Sequence, residues 1–136
     1  MNAEDGEKTI QVVKSFRDLR VYQVALEQAK KVFIISKNFP KEETYSLTDQ
    51  IRRSSRAVNA MIAEAWARRR YQAAFINKLN EALGEAMETQ AWLDHARECD
   101  YINLDKHREL DEAWQYIGAM LNRMIRKADI FCKPAK

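Results

Sequence analysis

Six arginines in two clusters are the residues of this chain best equipped to do chemistry: Arg52, Arg53 and Arg56, then Arg68, Arg69 and Arg70. A guanidinium is always charged and presents a planar fork of donors that matches a phosphate. Clusters of this kind can neutralise several phosphates and confer a salt-sensitive, largely sequence-blind affinity for nucleic acid. Trp66 and Tyr71 flank the second cluster and could stack on unpaired bases. The competing expectation is structural: the arginines pair with Asp or Glu of a neighbouring helix or subunit.

Other reactive side chains assemble less readily on paper. His95 and Cys99 stand one helical turn apart, with His107 beyond the following turn and Asp94, Glu98 and Cys132 as further donors. Two ligands on one face can chelate, but a structural zinc site wants four. The spacing is no zinc signature, so the reading is a surface His and a half-buried Cys, with no metal. Glu64, set among Ile62, Ala63 and Ala65, reads as a partly buried structural carboxylate with a base of the first or fourth helix as partner. Glu81, Glu85 and Glu88 share one helix side, yet the chain contains no Glu-x-x-His, which argues against a carboxylate-bridged metal bundle. There is no glycine-rich phosphate loop, no Gly-x-Ser-x-Gly elbow and no His-Glu-x-x-His. Neither an enzyme nor a cofactor is expected, and Trp66, Trp92 and Trp114 read as core and interface filler.

The charge behind these sites is segregated. The 136 residues carry a net charge of only +3. Residues 46–70, however, hold those six arginines against Asp49 and Glu64, or +4. Residues 79–112 hold ten acids against Arg97, Lys106 and Arg108, or −7. Opposed halves on one small domain favour head-to-tail contact between copies, or a one-sided anion-binding face.

The elements that must position these residues are helices. With three Gly and two Pro among 136 residues, helix breakers are scarce. A first helix is predicted over 16–37, its start marked by the Ser15/Asp18 capping box and its end by Asn38-Phe39-Pro40. Its inward face is read as Leu19, Tyr22, Ala25/Leu26, Ala29 and Val32/Phe33, widened by Val21, Val24 and Ile35. Ser46 with Asp49 repeats the cap and opens a second helix carrying Leu47, Ile51, Ser54/Ser55, Val58, Ile62 and Ala65 on one face. A break is placed at 68–71 because a helix from 47 to 98 would be far longer than ordinary globular ones. A third helix over 72–98 turns Phe75/Ile76, Leu79, Ala82/Leu83, Ala86, Gln90, Leu93 and Ala96 inward. Asn103 caps a fourth over 104–127, whose Leu110, Trp114, Ile117, Leu121, Met124 and Ala128 form a coiled-coil-like seam. Short joints between similar helices give an antiparallel, up-down-up-down four-helix bundle.

With the helices placed, the chain resembles the bacterial four-helix bundle proteins of the 23S rRNA intervening-sequence type, also labelled S23 ribosomal proteins. The likeness runs in order through FRDLRVYQVALEQA, FPKEETYSLTDQIRRSS, NAMIAEAWARRR, FINKLNEALGEAMETQAWLDHARECDYI and IGAMLNRMIRKA. The combination of FPxxExYxLxxQIRR, IAEA and IxxMLNxMIR carries it best. The resemblance implies a homopentamer. It also implies kinship with accessory proteins of diversity-generating retroelements, which engage nucleic acid and a reverse transcriptase. Arg52, Arg53, Arg68 and Arg69 match the family's basic positions. Where relatives read close to SIPxNIAEG this chain has AVNAMIAEA: Asn59 replaces a Pro, Met61 an Asn and Ala65 a Gly. Those losses should straighten the second helix and tighten its end.

The sequence reading is thus a bundle over 15–131 between an N-terminal tail (1–14) and a C-terminal one (132–136). Two cysteines make no disulfide framework, and no apolar run spans a membrane, so a cytoplasmic setting is expected. The expected function is binding, by an oligomer whose arginines contact RNA or DNA. The alternative is a scaffold or adaptor for another protein.

Overall fold

The Ser15/Asp18 capping box forms, but it closes on a short 3-10 turn, Phe16–Asp18, rather than on the first long helix. Leu19 then adopts an extended conformation (φ −69°, ψ 130°) and α1 begins only at Arg20. The computed structural model describes residues 12–132. Within them lie α1 (Arg20–Ser36), α2 (Leu47–Ala67), α3 (Gln72–Glu98), α4 (Leu104–Arg126) and one further helical turn, α5 (Ala128–Phe131). No strand occurs among the described residues. Most of the expected N-terminal tail (1–11 of 1–14) and most of the C-terminal one (133–136) lie outside them.

The joint between α1 and α2 uses a different cap from the one read in the sequence. Ser46 makes no side-chain capping bond. Glu43 does the work from a second 3-10 turn, Lys41–Glu43: its Oε1 accepts from the Leu47 amide at 3.1 Å. Its other oxygen accepts from the Tyr101 hydroxyl at 2.8 Å. One carboxylate therefore caps α2 and ties that end of the bundle to the α3–α4 turn. These two bonds, Tyr101 first, hold the Glu43 carboxyl below its ordinary 4.5, while the Tyr101 hydroxyl is pushed up to about 12, chiefly by Glu43.

A carboxyl depressed in the folded state stabilises fully above its unfolded value, and loses that contribution as pH falls through the folded one. Glu43→Ala should therefore cost about 1 kcal/mol for the lost cap at pH 7. The loss of the Tyr101 bond adds to this. The gap from the parent protein should narrow as pH falls through the depressed Glu43 value, read by urea denaturation at pH 7 and across the acid range.

The corner between α2 and α3 forms where it was placed, without Gly or Pro. α2 stops at Ala67, the Arg69 Nε donates to the Trp66 carbonyl at 2.8 Å, and Tyr71 turns extended before α3. An arginine side chain thus supplements the long 3.4 Å bond from its own amide to that carbonyl at the helix end. α2 runs unbroken from Leu47 to Ala67, and Ala65 is fully buried. At the other end of α3, Asp100 takes a left-handed conformation (φ 62°). The amides of Tyr101 and Asp100 return to the carbonyls of Ala96 and Arg97, the Schellman pattern. Asn103 caps α4 as expected, accepting from the Lys106 amide at 2.7 Å.

Cross-helix pairs run in opposite order along consecutive helices. Ser54 meets Thr89 and Glu64 meets Lys78 between α2 and α3; Gln90 meets Asp111 and Asp94 meets His107 between α3 and α4. Each helix packs on its sequence neighbour, and α1 closes the ring against α4. The result is an antiparallel bundle.

Ile51, Val58, Ile62, Phe75, Leu79, Leu93, Leu110, Trp114, Ile117 and Leu121 form its core, and the α4 seam is buried as read. α1 differs. Its buried stripe is Val21, Ala25, Gln28/Ala29, Val32 and Ser36. Leu26 is 54% exposed, and Tyr22 and Phe33 are only half-buried. α1 sits between α2 and α4, so its buried stripe follows both contacts rather than its most apolar line. Thr89, which looks polar in the sequence, is fully buried, its hydroxyl 2.8 Å from that of Ser54. Gln90, read as inward, is half-buried and its amide bonds to Asp111 and Gln115 of α4.

Candidate nucleic-acid interface

The six arginines do not form one patch. Arg56 and Arg68 are twelve residues apart, or roughly 18 Å along a helix axis. The first cluster is organised by α1. The guanidiniums of Arg52 and Arg56 lie 4.7 and 5.3 Å from the centre of the Phe33 ring, and the Lys37 ammonium lies 4.8 Å from it. Each such contact is worth about 0.5–1 kcal/mol at an exposed site. Ser36 anchors the arrangement: its hydroxyl donates to the Phe33 carbonyl at 2.8 Å and accepts from Arg52 Nε at 2.7 Å. Phe33, Ser36 and the C-cap Lys37 belong to the end of α1, whose negative pole favours the cations that gather there, two of them from α2.

Arg53, one residue on, points elsewhere and pairs with Asp49 at 3.0 Å. The six ion pairs found among the described residues place no carboxylate within 4 Å of Arg52, Arg56 or Lys37. Three cations therefore converge on one aromatic ring with no ion-pair partner among the described residues. Beside them, Leu26, Glu27, Ala29, Lys30, Phe33, Arg56 and Asn59 line an open, mainly apolar groove of about 620 Å³, so one carboxylate, Glu27, shares the groove with Arg56 without forming an ion pair with it. Asn59 is buried there and donates to the Tyr22 carbonyl of α1 at 3.0 Å.

The second cluster is built differently. Arg69 lies 3.6 Å over the Trp66 ring, so one face of that expected base-stacking platform is covered by the chain's own guanidinium. Tyr71 is 65% exposed and remains open, and Arg68 and Arg70 are exposed at the corner.

Phe33 and Lys37 were not recognised in the sequence as part of the basic site. Phe33 fitted the inward period of the first helix, and Lys37 sat past the last apolar position. The only available signal was that both close α1 just before the FP of the joint. Tyr45, the aromatic of the FPxxExY pattern, was also passed over and is 93% exposed.

The remaining expected sites rearrange. Glu64 is exposed rather than buried, and its partner is Lys78 of α3 at 2.9 Å, not a base of α1 or α4. α2 faces α3 along this length, which puts Lys78 within reach. That bond lowers the Glu64 carboxyl and raises the Lys78 ammonium. His95 lies beside the Trp92 ring, 5.7 Å between centres, and Cys99 is exposed, not half-buried. His107 turns instead to Asp94 at 2.8 Å. On α3, the Glu85 carboxyl is raised, first by burial and then by the Glu88 and Glu81 charges, although Glu81 is itself paired with Lys78 at 3.2 Å.

The fold and this site define a four-helix bundle with a basic cluster on its α1–α2 side. The chain belongs to the 23S rRNA-intervening sequence protein family, whose sequence profile matches residues 17–123. Among solved structures it is similar to a protein of unknown function from the S23 ribosomal protein family of Bacteroides thetaiotaomicron. That likeness has 32% identity and a TM-score of 0.71, and covers 78% of this chain and 95% of that one. Comparison with curated proteins returned no match. No helix among the described residues is long and apolar enough to cross a membrane.

Proposed function

We propose that this protein is a non-enzymatic oligomeric binding protein that contacts the phosphates of RNA or DNA through the basic side of α2. The observation that carries the reading is the Phe33 cluster, where Arg52, Arg56 and Lys37 gather with no ion-paired carboxylate among the described residues. Concentrating three like charges on one ring is unfavourable unless an anion arrives, because their mutual repulsion is relieved only by solvent or a counter-charge. Arg53, and Arg68, Arg69 and Arg70 at the far end of α2, would supply separate further phosphate contacts, and Tyr71 an open aromatic face for an unpaired base. Assembly into a pentamer, as in the family it resembles, would multiply the contacts and raise avidity without new chemistry.

The test is fluorescence anisotropy of the purified protein against labelled structured RNA and duplex DNA across a salt series. Binding that weakens linearly in log–log salt, with a slope of about −2 to −3 per engaged cluster, is the expected result. No binding at low salt would refute the phosphate-contact reading.

One observation favours a second reading, an oligomeric scaffold or protein adaptor. Glu85 and Glu88 stand one turn apart on α3 with no ion-pair partner among the described residues, a short acidic strip that a basic cluster on another copy or another protein, such as a reverse transcriptase, would neutralise.

A further inference from the structure

Away from the basic face, three metal-ligating side chains converge where α3 packs against α4. We propose that Asp94, His107 and Asp111 form a site for a divalent transition-metal ion, with Zn²⁺ the ion that fits the donors best. His107 Nε2 lies 2.8 Å from Asp94 Oδ1. A ligand atom from each of Asp94, His107 and Asp111 falls within 4.8 Å of the other two. A tetrahedral ion with bonds of about 2.0–2.1 Å needs its ligand atoms roughly 3.4 Å apart. Closing the set therefore takes side-chain adjustment and no movement of the helices.

The backbone geometry suits chelation. His107 and Asp111 are four residues apart on α4, so they stand one above the other on a single face. Asp94 reaches across from α3. Ligands drawn from two helices already packed together lose little further freedom on binding.

An outer contact orients one ligand. The Gln90 amide donates to Asp111 Oδ1 at 3.1 Å and to Gln115 Oε1 at 3.1 Å, with the Asp111 carbonyl 3.5 Å away, which holds that carboxylate in place. One imidazole and two carboxylates suit zinc and its neighbours better than calcium, which takes six or more oxygens. The surrounding segment, −7 over residues 79–112, attracts a cation. Three protein ligands leave a coordination position for water. An ion held here would pin α3 to α4 close to their turn.

Calorimetric titration of the full chain with ZnCl₂, after removal of bound metal with a chelator, tests the site. Expected is one equivalent per chain and a melting temperature raised by about 5 °C or more at a hundredfold excess over Kd. His107→Ala and Asp94→Asn should each weaken binding at least ~100-fold, and Gln90→Ala about 10-fold through loss of orientation alone. His95 and the exposed Cys99 are the rival donors, so His95→Ala/Cys99→Ser should bind as the parent does, and Co²⁺ should show no thiolate absorption band. Binding that survives in His107→Ala, binding that disappears in the His95/Cys99 variant, or no binding by the parent protein overturns the assignment. Circular dichroism confirms that each variant is folded.

Discussion

Reversing Arg56 and Lys37 to Glu is expected to weaken RNA or DNA binding about 100-fold or more, and to flatten the log–log salt slope by about two. Helicity and oligomer size should not change. The two positions are chosen because both are exposed and neither makes an ion pair among the described residues. Arg52 is a poorer choice, since its bond to Ser36 links α2 to α1 and its loss mixes folding with binding. Arg53→Glu should have a smaller effect, because Asp49 already neutralises part of that charge. The scaffold reading makes the opposite prediction for the Arg56/Lys37 pair. If those cations meet the Glu81–Glu85–Glu88 side of the next copy, the assembly dissociates while any residual nucleic-acid affinity stays put. Anisotropy together with size-exclusion chromatography and light scattering separates the two. Unchanged affinity in a folded variant of unchanged size would leave the phosphate contacts without support.

Trp114→Ala should be the most destabilising single truncation in the bundle, costing about 3–5 kcal/mol. Trp114 is fully buried, the largest side chain to be so, and sits midway along the α4 seam between Leu110 and Ile117. A whole domain has only about 5–15 kcal/mol of stability, so this loss takes a large share. The melting temperature should fall by about 10–20 °C. Trp114→Phe should cost much less. It keeps an aromatic ring in the site and removes an indole N–H that finds no hydrogen-bond partner among the described residues, an arrangement that carries its own penalty. Thermal melts and urea titrations of both variants measure the difference. Near-equal losses would mean that packing volume, not the orphaned donor, governs this position.

The division between what was legible in the residues and what was not follows physical lines. Helix four was read nearly whole because Leu110, Trp114, Ile117, Leu121 and Met124 repeat at steps that only one helix face can satisfy, and all five are buried. The α2–α3 corner was placed at 68–71 on length alone, and the structure supplies its cause in Arg69 folding back on the Trp66 carbonyl. The cap of α2 was misassigned to Ser46. Local rules see a Ser-x-x-Asp pattern but cannot see that Tyr101, distant in sequence, fixes Glu43 in the capping position.

The candidate sites show the same divide more sharply. Composition and spacing determined by themselves that this is a helical bundle with a basic second helix and an acidic third, since periodicity and charge are properties of the chain read in order. Only the tertiary structure decided which charges are already neutralised. It paired Arg53 with Asp49 and Glu64 with Lys78, folded Arg69 onto Trp66, and left Arg52 and Arg56 with Lys37 on the ring of Phe33. It also moved His107 away from His95 and Cys99 to Asp94 and Asp111. The reason is distance: the strength of a charge or a ligand depends on what lies within a few ångströms, and across helices that neighbourhood is set by packing rather than by sequence order.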